Sequence, residues 1–99
     1  MNSKTDLELH IAELKALYKA TIDGKQELDE FYLKAAILEA EKDLTENIDL
    51  SAHVQRLDEE REKAIKYRNI EWRVILSYII PRAIVYLNKC NEYRERLND

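Results

Sequence analysis

Two histidines, each with an aspartate four positions before it, are the first candidates for chemistry in this sequence. Asp6 precedes His10 and Asp49 precedes His53, a spacing that places each pair on one helix face. Carboxylate-bridged metal sites in helical bundles use Glu-x-x-His pairs from two helices, and the sequence has no such pair. We therefore expect no metal and no cofactor, and we expect both histidines to be solvated near the starts of their helices.

Nucleophilic catalysis has no better support. Ser77 and Cys90 are isolated candidates that form no constellation by spacing, and a single glycine cannot build a loop that cradles phosphate. Because Cys90 is the only cysteine, no internal disulfide can form, which suits a reducing compartment. The N-terminal residues MNSKTDLELH lack the basic and apolar regions of a secretion signal. These features predict a non-enzymatic protein in the cytoplasm.

The composition predicts an all-α fold in one domain, 1–99. Strands need turns, and turns use glycine and proline, but the 99 residues include one of each. Charged residues make up 36% and hydrophobic residues 45% of the chain, a balance typical of amphipathic helices. The expected architecture is therefore a helical bundle.

Apolar periodicity and capping signals predict an N-terminal helical hairpin. The first helix runs from about 5 to 22, with a capping box at Thr5 and Glu8, and Gly24 suits the left-handed residue after it. The second runs from about 26 to 46. Asn47 is then expected as its C-terminal cap, followed by Asp49 or Ser51 as the next N-cap.

The periodicity after Leu50 has no obvious break. Apolar positions three or four apart continue to Leu97, and only Pro81 and Asn69 interrupt them. Two architectures remain open. Either one long helix over about 50–97, kinked at Pro81, extends beyond the hairpin, or the chain breaks near Asn69 and folds back as a four-helix bundle.

The segment WRVILSYIIPRAIVYL, residues 72–87, is apolar on nearly all sides. Such a helix cannot stay exposed on a soluble monomer, so either the same chain or a second copy must cover it. A membrane does not suit it, because the run is too short to span a bilayer and Arg82 lies within it. We expect the core or dimer contact to contain Ile75, Ile79, Ala83, Tyr86 and Tyr93.

The segment DEEREKAIKYRNIEWR, residues 58–73, is a candidate partner-binding site. Its apolar stripe is replaced by Arg61, Arg68 and Trp72, with Tyr67 and Arg73 beside them. Arginine and tryptophan are enriched at the centres of protein interfaces. The alternative is that Arg61 and Arg68 pair within the chain with acids of the second helix, such as Glu39 or Asp43.

The charge distribution disfavours nucleic acid as the partner. Residues 61–73 hold five basic and two acidic side chains, an excess of +3, but the whole chain carries −4, whereas duplex binders have a dedicated basic face. Residues 1–50 hold six basic and twelve acidic side chains, and residues 51–99 hold ten and eight. This asymmetry indicates that acidic and basic helices lie side by side.

These observations lead to three hypotheses. The first is a non-enzymatic protein–protein interaction module, a homodimer assembled through the apolar C-terminal helix. The second is a monomeric four-helix bundle that regulates or inhibits one partner protein. The third is a carboxylate–histidine metal binder or enzyme.

Overall fold

A computed structural model describes the backbone of residues 3–98 and the side chains of residues 5–87. The described residues form four helices and no strand, which confirms the all-α bundle: α1 (Ser3–Ile22), α2 (Glu30–Thr45), α3 (Leu50–Lys66) and α4 (Ile70–Asn98). The connections are short, so consecutive helices run antiparallel. The hairpins α1–α2 and α3–α4 are the most closely packed pairs, while the backbones of α2 and α3 approach each other least.

The ends of α1, α2 and α3 share one capping geometry. Each helix is followed by a residue in the left-handed region: Gly24 (φ 76°), Asn47 (φ 61°) and Arg68 (φ 58°). After each of these residues, the next amide donates back to the carbonyl five positions earlier, as Asn69 does to Ala64 at 2.9 Å. This is the Schellman arrangement, which satisfies carbonyls at a helix end. Gly24 and Asn47 were expected there, whereas Arg68 was not.

The expected continuous helix over 50–97 is two helices in the structure, and the alternative break near Asn69 is the one observed. Helix α3 ends at Lys66, and Arg68 lies in the turn that follows. The Asn69 side chain then accepts a 3.2 Å hydrogen bond from the amide of Trp72, so that Asn69 caps the start of α4. The helix continues through Pro81. Asn69 was the signal for this break in the sequence, whereas Arg68 gave none, because arginine rarely adopts positive φ.

Two other helix starts differ from the expected positions. Helix α2 begins at Glu30 rather than near 26, since the Asp29 side chain accepts from the amide of Tyr32 at 3.0 Å. Helix α1 already includes Thr5, which therefore is not its N-cap. Asp49 caps α3 as expected, accepting from the amide of Ala52 at 2.8 Å.

One core lies between all four helices, and α4 supplies its largest share. Its inward face buries Ile75, Leu76, Ile79, Ile80 and Ala83, each at 3% exposure or less. Against it lie leucines of the other helices, all fully or nearly fully buried: Leu7, Leu14, Leu33, Leu50 and Leu57. The inward face of WRVILSYIIPRAIVYL is thus covered by its own chain.

Candidate interaction surface

The residues expected to bind a partner lie in or near the turn between α3 and α4. Tyr67, Arg68 and Arg73 are exposed, and Arg61 is half-buried one turn and a half before the end of α3. Among the ion pairs between described side chains, Arg68 and Arg73 take part in none. We call the group Arg61, Tyr67, Arg68 and Arg73 the basic corner.

Trp72 does not belong to this exposed group. Its side chain is half-buried, packs against the core and lies with its ring centroid 5.7 Å from that of Tyr32 on α2. The expectation that Arg61, Arg68 and Trp72 share one helix face is wrong, because the turn at 67–69 separates Arg61 from Trp72 and holds Arg68 outside both helices. Trp72 closes this end of the bundle.

The alternative pairing of Arg61 and Arg68 with acids of α2 is also wrong. Arg61 pairs within its own helix with Asp58, at 3.2 Å. Asp43 instead binds Arg56 and His53. The basic corner is therefore not neutralised by the acidic hairpin.

Three shallow grooves surround the turn. The largest, of about 560 Å³, is lined by Arg61, Ile65, Arg73, Val74, Ser77 and Tyr78. A second of about 260 Å³ lies beside Tyr67 and Trp72, and a third of about 210 Å³ lies between Ile65, Arg68 and Ile70. Apolar and basic side chains together line these grooves.

Helix α4 also has an apolar outward face, which we call the outer stripe. It consists of six exposed residues on one side of the helix. Successive members are three or four positions apart, except for the last two, which are adjacent: Ile70, Val74, Ser77, Pro81, Ile84 and Val85. The exposed fractions are 60% for Ile70, 49% for Val74, 38% for Ile84 and 48% for Val85. Because these positions lie opposite the inward face, α4 is apolar on two sides and the chain covers only one of them.

The residues expected in the core or dimer contact are placed as follows. Ile75, Ile79 and Ala83 are internal to the bundle. Tyr86 is half-buried and donates a 2.7 Å hydrogen bond to Glu13 on α1. Tyr93 lies outside the described side chains. Because they are buried within the chain, none of the first three is free to meet a second copy.

A buried polar cluster joins α2 to α3. The Asp43 carboxylate is fully buried, and it accepts a 2.6 Å hydrogen bond from His53 Nδ1 and another of 2.6 Å from the guanidinium of Arg56. These bonds cross the helix pair whose backbones approach least. A buried carboxylate with two cationic or polar donors is well satisfied, so the cluster fixes α3 against α2.

His10 on α1 completes this cluster without a bond of its own. Its ring centroid is 5.6 Å from that of His53, and neither ring nitrogen has a hydrogen-bond partner among the described residues. Burial, together with the neighbouring His53, lowers the pKa of His10 to about 4. His10 is therefore neutral at physiological pH.

The expectation of solvated histidines is wrong: His10 is 0% and His53 is 1% exposed. A signal for this was present. His10 lies three residues after Leu7 and four before Leu14, and His53 stands in the same relation to Leu50 and Leu57. Both histidines occupy positions of the apolar stripe, which the acids four residues earlier obscured.

A carboxyl pair extends the same seam between α2 and α3. Glu39 and Glu60 each hold a buried Oε2 atom. Burial, a hydrogen bond to Glu39 and the charge of Glu39 raise the pKa of Glu60 to about 8. The raised pKa favours the protonated form of Glu60 at neutral pH.

The buried cluster has the side chains of an acid–base site but not the access. His53 Nε2 is buried and has no hydrogen-bond partner among the described residues, and a substrate could not reach it without opening the bundle. No three histidine, cysteine or acidic side chains of the described part of the chain are grouped to hold a metal ion. The cluster's evident role is to position α2, α3 and α1.

Comparison with known proteins identifies no relative: the chain matches no protein-family model, no curated protein and no solved structure. Within the described residues, none of the helices combines the length and apolarity required to cross a bilayer. The two exposed surfaces that could bind a partner are the basic corner and the outer stripe.

Proposed function

We propose that this chain is a non-enzymatic interaction module of the cytoplasm that forms a homodimer through the outer stripe of α4. The observation that carries the proposal is the second apolar face of α4, since Ile70, Val74, Ile84 and Val85 keep 38–60% of their surface exposed while the opposite face is buried. Contiguous exposed apolar surface indicates a contact site.

A second copy is the occupant that fits this stripe. Every residue of the stripe is uncharged, which matches the apolar centre of subunit interfaces. The same stripe supplied by each subunit would bury all four large side chains twice. Burying each half-exposed side chain contributes about 1 kcal/mol, which is roughly half the value for full burial. The summed free energy of burial offsets part of the entropic cost of association.

The test compares charge substitutions inside and outside the stripe. Val74→Asp and Val85→Asp each place a carboxylate in the proposed contact, and Leu38→Asp is the matched control because Leu38 is 58% exposed on α2. In sedimentation equilibrium, we expect the native chain and Leu38→Asp to dimerise with similar affinity. Both stripe variants should weaken dimerisation at least tenfold. Equal dimerisation by all four proteins would reject the outer stripe as the contact.

The second candidate is a monomeric bundle that regulates one partner protein. It is favoured by the closure of the core within one chain and by the basic corner, where Arg68 and Arg73 form no ion pair with a described residue beside three grooves. Under this account, the chain stays monomeric. Arg68→Ala and Tyr67→Ala then abolish capture of a defined host protein, while Leu38→Asp retains it.

A further inference from the structure

We propose that the two copies meet with their α4 helices antiparallel, on a two-fold axis that passes beside Ser77. This inference rests on the proposed homodimer and specifies its geometry. Parallel and antiparallel contacts would use the same stripe, so the orientation must come from the order of residues and charges along it.

The outer stripe is approximately symmetric about Ser77. Ile70 lies seven residues before Ser77 and Ile84 seven residues after it, and Val74 and Pro81 lie three before and four after. Seven residues are about two turns, or roughly 10.5 Å of helix. A two-fold axis at Ser77 therefore brings Ile70 of one copy level with Ile84 of the other, and the stripe is complementary to itself when reversed.

The small side chain of Ser77 leaves room for two helices to approach each other. Ser77 is exposed and is the smallest side chain of the stripe, so the two helices can approach most closely at that residue. It also lines the groove of about 560 Å³ together with Val74 and Ile65. Side chains next to the axis on one copy can enter this groove on the other, which lets the helices pack at an ordinary interaxial distance of about 8–10 Å.

The positions of the basic side chains also favour the antiparallel contact. The basic corner lies at the Ile70 end of the stripe, where Arg68 and Arg73 form no ion pair with a described residue. A parallel contact would place the two basic corners side by side. The antiparallel contact separates the two Arg73 residues by about 12 Å along the helix axis and the two Ile70 residues, next to Arg68, by about 21 Å. Both distances exceed the screening length of about 8 Å at physiological salt.

The antiparallel contact also gives Arg73 an acidic neighbour. The groove places Arg61 of α3 beside Ser77 of α4. Because α3 and α4 run antiparallel, Asp58, which pairs with Arg61 at 3.2 Å, lies one turn nearer the C-terminal end of the stripe. Across an axis at Ser77, Arg73 of one copy therefore lies at the same level along the stripe as Asp58 of the other.

Cysteine cross-linking distinguishes the orientations. In a Cys90→Ser background, which removes the native thiol, Ser77→Cys should form a disulfide-linked dimer under mild oxidation because the residue meets its own symmetry mate. Ile70→Cys and Ile84→Cys should not cross-link alone, but an equimolar mixture of the two should. Leu38→Cys is the control for random collision, and circular dichroism and sedimentation of each reduced variant establish folding and dimerisation.

Each outcome has one meaning. Cross-linking of Ser77→Cys and of the Ile70→Cys and Ile84→Cys mixture, at levels well above Leu38→Cys, supports the antiparallel contact. Self-linking of Ile70→Cys and of Ile84→Cys shows a parallel contact and overturns this inference while the homodimer stands. Dimers that cross-link no better than Leu38→Cys at any of these positions overturn the axis at Ser77. Folded, reduced variants and native chain that all sediment as monomers reject the homodimer itself.

Discussion

Nδ1 of His53 on α3 lies 2.6 Å from Oδ2 of Asp43 on α2, and both side chains are at most 1% exposed. Arg56 holds the other oxygen of the same carboxylate at 2.6 Å. The two helices have little backbone contact, so these polar bonds take the place of apolar packing along this side of the bundle.

Removing the Asp43 carboxylate should be strongly destabilising. Asp43→Ala leaves His53 and Arg56 without their acceptor, and breaking a buried pair by removing one partner costs about 3–5 kcal/mol. Asp58→Ala is the matched control, because the side chain is 48% exposed and pairs with Arg61 in the same helix; its loss should cost at most about 1 kcal/mol. Urea denaturation measures both, and equal small losses would contradict a structural role for Asp43.

His10 should make the bundle sensitive to acid. Its folded pKa of about 4 lies below the ordinary value of 6.5 for histidine, so the unfolded chain binds the proton more readily and stability is lost as pH falls from about 6.5 to about 4. The difference corresponds to about 3 kcal/mol at full effect. His10→Leu also removes an unpaired buried polar group, which should stabilise the protein at pH 7 by about 1–3 kcal/mol.

The measurement is the stability difference between His10→Leu and the native chain across this pH range. Glu60 acts in the opposite direction, since its pKa is raised to about 8 and its contribution is lost as pH rises from about 4.5 to 8. Both proteins share Glu60, so its effect cancels in the difference. We expect the advantage of His10→Leu to grow toward pH 4, and a difference independent of pH would refute the buried neutral His10.

The turn at Arg68 should be improved by glycine. Arg68 has φ 58°, a left-handed conformation that costs a side chain with a Cβ atom about 1 kcal/mol more than glycine. Arg68→Gly should therefore raise the free energy of unfolding by about 0.5–1 kcal/mol. Lys66→Gly, two residues earlier and still within α3, should lower it by a similar amount. Thermal melting of both variants tests the assignment, and a loss in both would place Arg68 in a helical conformation.

Trp72 and Tyr67 should respond differently to truncation. Trp72 packs against the core and stacks near Tyr32, so Trp72→Ala should cost about 3 kcal/mol or more. Tyr67 is 72% exposed, and Tyr67→Ala should change stability by no more than about 0.5 kcal/mol. Denaturation curves measure the stability of both variants. An unchanged denaturation midpoint for Trp72→Ala would contradict the packing of Trp72 against the core.

Helix content and most helix ends were predictable because they depend on local chemistry. Gly24, Asn47 and Asp49 act where the sequence predicts, each through its own backbone preference or side-chain hydrogen bond. The break at Arg68 depends on tertiary packing, since folding α4 back onto α3 buries Ile75 and Ile79. This gain outweighs the local cost of a left-handed arginine.

The sites were less predictable because burial is a property of the whole fold. The basic residues Arg61, Arg68 and Arg73 are brought together at one corner, as their nearness in sequence suggested. The burial of His10 and His53 depends on contacts among three different helices. The carboxylate that binds His53 is that of Asp43 on α2, not that of the aspartate four residues earlier in the sequence. The outer stripe could not be predicted because residues 72–87 are apolar on nearly all sides, and only packing decides which side is buried.

Self-association through α4 can be measured from the mass of the native chain in solution. Light scattering at a concentration of about 100 μM, with dilution toward 1 μM, reports whether the 11.8 kDa chain associates. For a homodimer, we expect twice the chain mass at the upper concentration. A mass of one chain at every concentration would contradict self-association through α4 and favour the monomeric regulator.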